Sequence, residues 1–76
     1  MWIYKSPIGL MRIFLNNSGR YSLQIRDTVY GFYSSPVAAA DDVYTFTTGC
    51  NEWDFLFLSA NPPTDLSEWQ RLPHLP

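Results

Sequence analysis

The chain has 76 residues, a net charge of −2, one cysteine, and 46% hydrophobic and 17% aromatic residues. This makes one small domain near the lower size limit for a self-sufficient core, and with only 16% charged residues it is globular and not disordered. The lone Cys50 excludes an intramolecular disulfide and fits a reducing, cytoplasmic compartment.

Strand signals fill the first half. WIYK (2–5) reads as a first strand, joined through Ser6-Pro7-Ile8-Gly9 to LMRIFLN (10–16). Asn17-Ser18-Gly19 tolerates positive φ and makes a hairpin turn into RYSLQIR (20–26). There Tyr21, Leu23 and Ile25 share one face, and Arg20, Ser22, Gln24 and Arg26 the other. A tight turn at Asp27-Thr28 leads to VYGFY (29–33).

Ser35 and Pro36 then start a helix expected over 36–48, a hydroxyl cap followed by a residue whose missing N–H is no loss at the first position. Val37, Ala40, Val43, Tyr44 and Thr47 form its apolar stripe, and Gly49 is its positive-φ end. DFLFL (54–58) is expected as a last strand or an extended segment packed on the core. Asn61-Pro62-Pro63 breaks it, and Thr64 or Asp65 then caps a short helix, 65–72, with Glu68 three residues after Asp65 as in a capping box. Residues 73–76 form a loose tail.

The fold class is therefore α+β: a three- to four-stranded antiparallel meander packed on helix 36–48, with a short C-terminal helix, all in a single domain. Tyr21, Leu23, Ile25, Ile13, Ala40, Val43 and Trp53 are the expected core.

Reactive chemistry is sparse. Asp41 and Asp42 are adjacent on a helix, so they point about 100° apart and do not converge on one ligand. Glu52 and Asp54 flank Trp53 and point together if that stretch is extended. Cys50 has one histidine to serve as base, His74, in the Leu-Pro tail. The four glycines are scattered, so no phosphate loop forms. No catalytic residue, metal ligand or cofactor is expected, and the chain is not expected to be an enzyme. Lys5 and Arg12 interrupt the apolar start, which argues against a signal peptide, and no run approaches the roughly 20 apolar residues that cross a bilayer.

Charge is divided unevenly. Residues 1–26 hold four cations and no acid, and residues 27–76 hold Arg71 against seven acids. Such a division marks a basic face for a polyanion or two halves that attract each other. If the helix covers the Tyr21/Leu23/Ile25 side, the opposite face presents Arg12, Arg20, Ser22, Gln24 and Arg26. Arginine can read guanine and glutamine adenine, but a half-exposed sheet needs a polar outer side in any case. Phe14 and the rings of VYGFY add apolar area there.

RYSLQIRD followed by VYGFYSSPVAAADDVY resembles the DNA-binding domain of the plant ethylene-response-factor family over about residues 9–45. Tyr21 takes the strand aromatic, Ile25-Arg26-Asp27 the strand end, Gly31 and Tyr33 the Gly-x-Phe positions, and Ala39-Ala40 the helix alanines. Val43 stands where that family has a helix tyrosine. The amino-terminal, arm-binding domain of some phage-type tyrosine recombinases is similar in architecture. The resemblance implies a three-stranded sheet backed by a helix, and DNA binding through Arg12, Gln24 and Arg26. The chain as a whole also resembles short free-standing bacterial proteins.

The function expected is that of a small non-catalytic interaction module. It meets a protein partner or itself through the outer sheet face or the aromatic segment after Trp53, with no membrane involved. Nucleic-acid binding through the arginine-bearing face is the alternative.

Overall fold

A computed structural model describes residues 1–73. Five strands form one antiparallel sheet: β1 (Trp2–Ser6), β2 (Gly9–Leu15), β3 (Tyr21–Ile25), β4 (Thr28–Tyr33) and, after the helical segments, β5 (Gln70–Arg71). Their order across the sheet is β4-β3-β2-β1-β5. Helix α1 (Pro36–Tyr44) covers one side, followed by the short α2 (Asn51–Asp54) and a 3-10 turn over Leu66–Glu68. The fold is the expected α+β, with WIYK taken up as a strand and one further strand added.

Local chemistry sets the meander. Asn16 Oδ1 accepts from the N–H groups of Ser18 (2.9 Å) and Arg20 (3.1 Å), and so pins the β2–β3 hairpin with Gly19 at φ +79°. The β3–β4 turn falls on Arg26-Asp27, one residue earlier than expected. Arg26 takes a left-handed φ of 55°, held because its N–H reaches Leu10 O at 2.9 Å and its carbonyl accepts from Gln24 Nε2 at 2.8 Å.

The first helix begins as expected. Ser35 Oγ accepts from Ala38 N at 3.2 Å, and Pro36 opens the helix. It ends at Tyr44 and not at residue 48. Three of the four residues at 45–48 are threonines, poor helix formers. Thr45 Oγ1 donates back to Asp41 O at 2.9 Å, and Phe46 turns left-handed (φ 58°) to stack its ring on Trp53, centroids 4.9 Å apart. Gly49 (φ +90°) lies in the next turn and does not end α1.

Two further expectations are corrected. Residues 51–54 are helical, because Asp54 folds back to accept from Thr48 N (3.0 Å), Thr48 Oγ1 (2.8 Å) and Gly49 N (2.9 Å). DFLFL is then a turn that leaves Phe55, Phe57 and Leu58 exposed. The helix expected over 65–72 is only the 3-10 turn, after which Trp69 goes extended (φ −91°, ψ 148°). Trp69 buries its ring 5.5 Å from Tyr4, and Gln70–Arg71 pair with β1. Residues 74–76, most of the expected tail and including His74, lie outside the described residues.

The core lies between sheet and α1. Met11, Ile13, Leu23 and Ile25 meet Ala39, Ala40, Val43, Cys50, Trp53 and Trp69. The small alanines let the helix lie close on the strands. Tyr21, expected in this set, is only half-buried, near the hairpin end.

Candidate interaction face

Strand register assigns the side of the sheet away from α1. Side chains alternate along a strand, and paired positions share a face. Arg12 stands directly opposite Gln24 on one side and Ile3 on the other; Ile3 pairs onward with Gln70, and Gln24 with Val29. The neighbouring row is Phe14, Ser22 and Phe32. Leu10 and Lys5 pair at the other end. A register shift between Leu23 and Gln24 leaves Tyr30 as an extra residue in β4, so Val29 and Phe32 both reach this outer face. They are 42% and 60% exposed.

No carboxylate occurs on any of the five strands. The acids sit on α1 (Asp41, Asp42), on α2 (Glu52, Asp54), at the 3-10 turn (Asp65, Glu68) and at the Asp27 turn. A shallow depression of about 410 Å³ lies on the face among Ile3, Leu10, Arg12, Phe14, Gln24 and Leu72. A second, of about 800 Å³, opens past Phe14 between Trp2, Leu15, Tyr21 and Leu72. The face is thus cationic and apolar together.

Of the five residues expected to line it, the structure gathers three. Arg12 and Gln24 are neighbours and half-buried. Ser22 is buried between the two phenylalanines, and its Oγ accepts from Asn16 Nδ2 at 3.0 Å. Arg20 lies on the hairpin loop, before the first residue of β3, and is exposed.

Arg26 departs from the face. Its left-handed backbone breaks the strand alternation, and its side chain crosses Gly9 to reach α2. There Nη1 and Nη2 donate to Glu52 Oε2 (2.8 Å) and Oε1 (2.6 Å). These hydrogen bonds hold the guanidinium above its ordinary pKa and the Glu52 carboxyl below its own. Sequence reasoning did not place Ile3, Lys5 and Gln70 on the face. The period of two along WIYK sets Ile3 and Lys5 on the side opposite Trp2 and Tyr4; a two-residue strand at Gln70 carries no such signal.

The other candidate residues are held locally. Asp42 accepts from Tyr33 Oη at 2.8 Å, and burial followed by that bond raises the Tyr33 phenol pKa. Glu52 and Asp54, expected to point together, diverge on α2 toward Arg26 and the Thr48-Gly49 backbone. Cys50 is buried. Among the described residues no group of three His, Cys, Asp or Glu could hold a metal ion, and no helix is long and apolar enough to cross a membrane.

No family model, curated protein or solved structure matches this chain.

Proposed function

We propose that this protein is a non-catalytic interaction module, working in a reducing compartment, that meets a protein partner or a second copy of itself through the outer face of its sheet. The observation that carries this reading is the acid-free face itself, where exposed Phe32 and Val29 on β4 share one side of the sheet with Gln24, Arg12 and Lys5 on the strands beyond. Scattered single apolar residues need no explanation, but a set gathered beside shallow depressions favours a docking surface. A partner of matching chemistry has acidic and apolar side chains together. The non-catalytic part rests on how the acids are used. Asp42, Glu52, Asp54, Asp65 and Glu68 each accept hydrogen bonds from neighbouring groups of the fold, as structural carboxylates do.

A second reading is nucleic-acid binding, of the kind implied by the likeness to the ethylene-response-factor domain. Arg12 beside Gln24 favours it. The removal of Arg26 to Glu52 weighs against it, since that leaves fewer cations for phosphates.

The test is NMR of labelled protein titrated with a peptide of alternating Glu and Leu, and separately with a short duplex DNA pool, each at low salt and at roughly 0.2 M, where surface charges are largely screened. Peptide-induced shifts at Arg12, Phe14 and Gln24 that persist at the higher salt are the expected result. Shifts with duplex that join Arg12, Arg20 and Gln24 and fade with salt would put the second reading first. No response to either ligand, together with a chain that stays monomeric, overturns both.

A further inference from the structure

The two borders of the sheet are unlike. One is β5, two residues long, bearing Arg71 and followed by Pro73 within two residues. Short length, charge and a nearby proline are among the devices by which sheets blunt an edge, and a bulge is another, the one β4 carries at Tyr30. The other border is β4, TVYGFY, six residues with no charge and no proline. It pairs with β3 only, and among the described residues no backbone hydrogen bond reaches it from elsewhere. Its outward N–H and C=O groups therefore form an open ladder, and such groups seek partners.

The bulge sets the register in which this edge matches a copy of itself. Without it, Val29 and Phe32, three residues apart, would point to opposite faces. With Tyr30 as the extra residue, both lie on the outer face. Two β4 strands run antiparallel about a two-fold axis between Tyr30 and Gly31 then pair residue 29 with 32, 30 with 31 and 28 with 33. Each Phe32 falls opposite Val29 of the other copy on one face, and Thr28 falls opposite Tyr33 on the other. Every pair joins residues of like orientation, and no charge is brought onto the seam.

We propose that β4 pairs with β4 of a second copy, giving one continuous ten-stranded sheet whose outer face joins the two apolar patches. This deepens the reading of the face by naming one partner, and it can fail while that face still binds another protein. The blunted β5 edge stops growth at two, so the assembly closes as a dimer and does not extend into a fibre. A six-residue strand is about 20 Å long. An edge of that length covers on the order of 300 Å² per copy, below the roughly 800 Å² per partner of a standard interface. The dimer is accordingly weak and follows concentration by mass action.

Sedimentation equilibrium and amide exchange of the full chain, from micromolar to about 1 mM, test the pairing by mass action. The expected mass rises from 8.8 kDa toward twice that value, and β4 amides gain protection as it does. Phe32→Lys, at an exposed position, is expected to abolish the rise while keeping a folded spectrum; Phe55→Lys on the exposed turn is expected to leave it intact. A chain monomeric throughout that still binds the Glu-Leu peptide overturns the pairing and leaves the reading of the face standing. A dimer lost in Phe55→Lys but kept in Phe32→Lys, or one without β4 protection, also overturns it.

Discussion

Arg26 and Glu52 come from the basic and acidic parts of the chain and meet as a two-pronged ion pair, at 2.8 and 2.6 Å. The pair fastens the β3–β4 turn to α2 across the end of the sheet. Both side chains are exposed, so its contribution is small and salt-sensitive. Its pH dependence has a definite sign. Glu52 binds its proton less tightly folded than unfolded, so the stabilisation is present above the ordinary carboxylate value near about 4.3 and disappears as pH falls through the lower folded value. Glu52→Gln is expected to lower Tm slightly at neutral pH and low salt, with both curves converging in acid and in molar salt. An equal gap at every pH would mean that the carboxylate charge is not the source.

Gly31 leaves room for the Tyr33 ring. A Cβ at position 31 would stand 2.9 Å from Tyr33 Oη and 3.0 Å from its Cε1. The ring cannot yield without giving up Asp42, 2.8 Å from the same hydroxyl. Gly31→Ala is therefore expected to cost about 1–3 kcal/mol by overpacking, and much less in a Tyr33→Leu background. Denaturant melts of the four-member cycle measure the coupling.

Tyr33 contributes to stability in a way that alkali removes. Its phenol holds its proton more tightly in the fold than in the unfolded chain, first through burial and then through the bond to Asp42. The contribution is complete below the ordinary tyrosine value near about 10 and is lost as pH rises beyond it. Tyr33→Phe is expected to flatten the loss of stability between about pH 9 and 12, read by denaturant melts across that range.

Trp53 and Trp69 are both buried, and they differ in their indole nitrogens. Trp53 Nε1 donates to Val43 O at 3.0 Å, tying α2 to the last turn of α1. Trp69 Nε1 is buried without a hydrogen-bond partner among the described residues. Trp53→Phe loses a buried bond and ring volume together, about 2–4 kcal/mol. Trp69→Phe loses volume but relieves an unpaired donor, and is expected to cost clearly less in the same melts.

The strands were legible because alternation is local: Tyr21, Leu23 and Ile25 against Ser22 and Gln24 assign a face without knowing the neighbours. The start of α1 was legible for the same reason, since Ser35 and Pro36 act within one turn. Its end was not, because Phe46 leaves the helix to meet Trp53, a partner seven residues on. The C-terminal segment misled more strongly. Asp65 and Glu68 did make local caps, to Ser67 and Thr64, but the pull of Trp69 into the core and of Gln70–Arg71 onto β1 outweighed a weak helical pattern. The face was read in part. Arg12, Ser22 and Gln24 follow from alternation alone, whereas the loss of Arg26 depends on a left-handed turn residue and an acid on α2, neither visible in strand periodicity.

Asn16 joins the hairpin to the face. Its Oδ1 accepts from Ser18 N, Ser18 Oγ (2.8 Å) and Arg20 N, and its Nδ2 donates to the buried Ser22 Oγ. Asn16→Ala strips the turn of its acceptor, an expected loss of about 1–2 kcal/mol. Asn16→Asp keeps that acceptor, and the Ser22 hydroxyl can reverse to donate to it, so most stability returns. The added carboxylate, however, borders an otherwise acid-free sheet. The expected pattern is recovery of Tm in Asn16→Asp alongside weaker binding of the Glu-Leu peptide, an effect that salt reduces. Full recovery of both would mean that the charge of this face does not govern what docks on it.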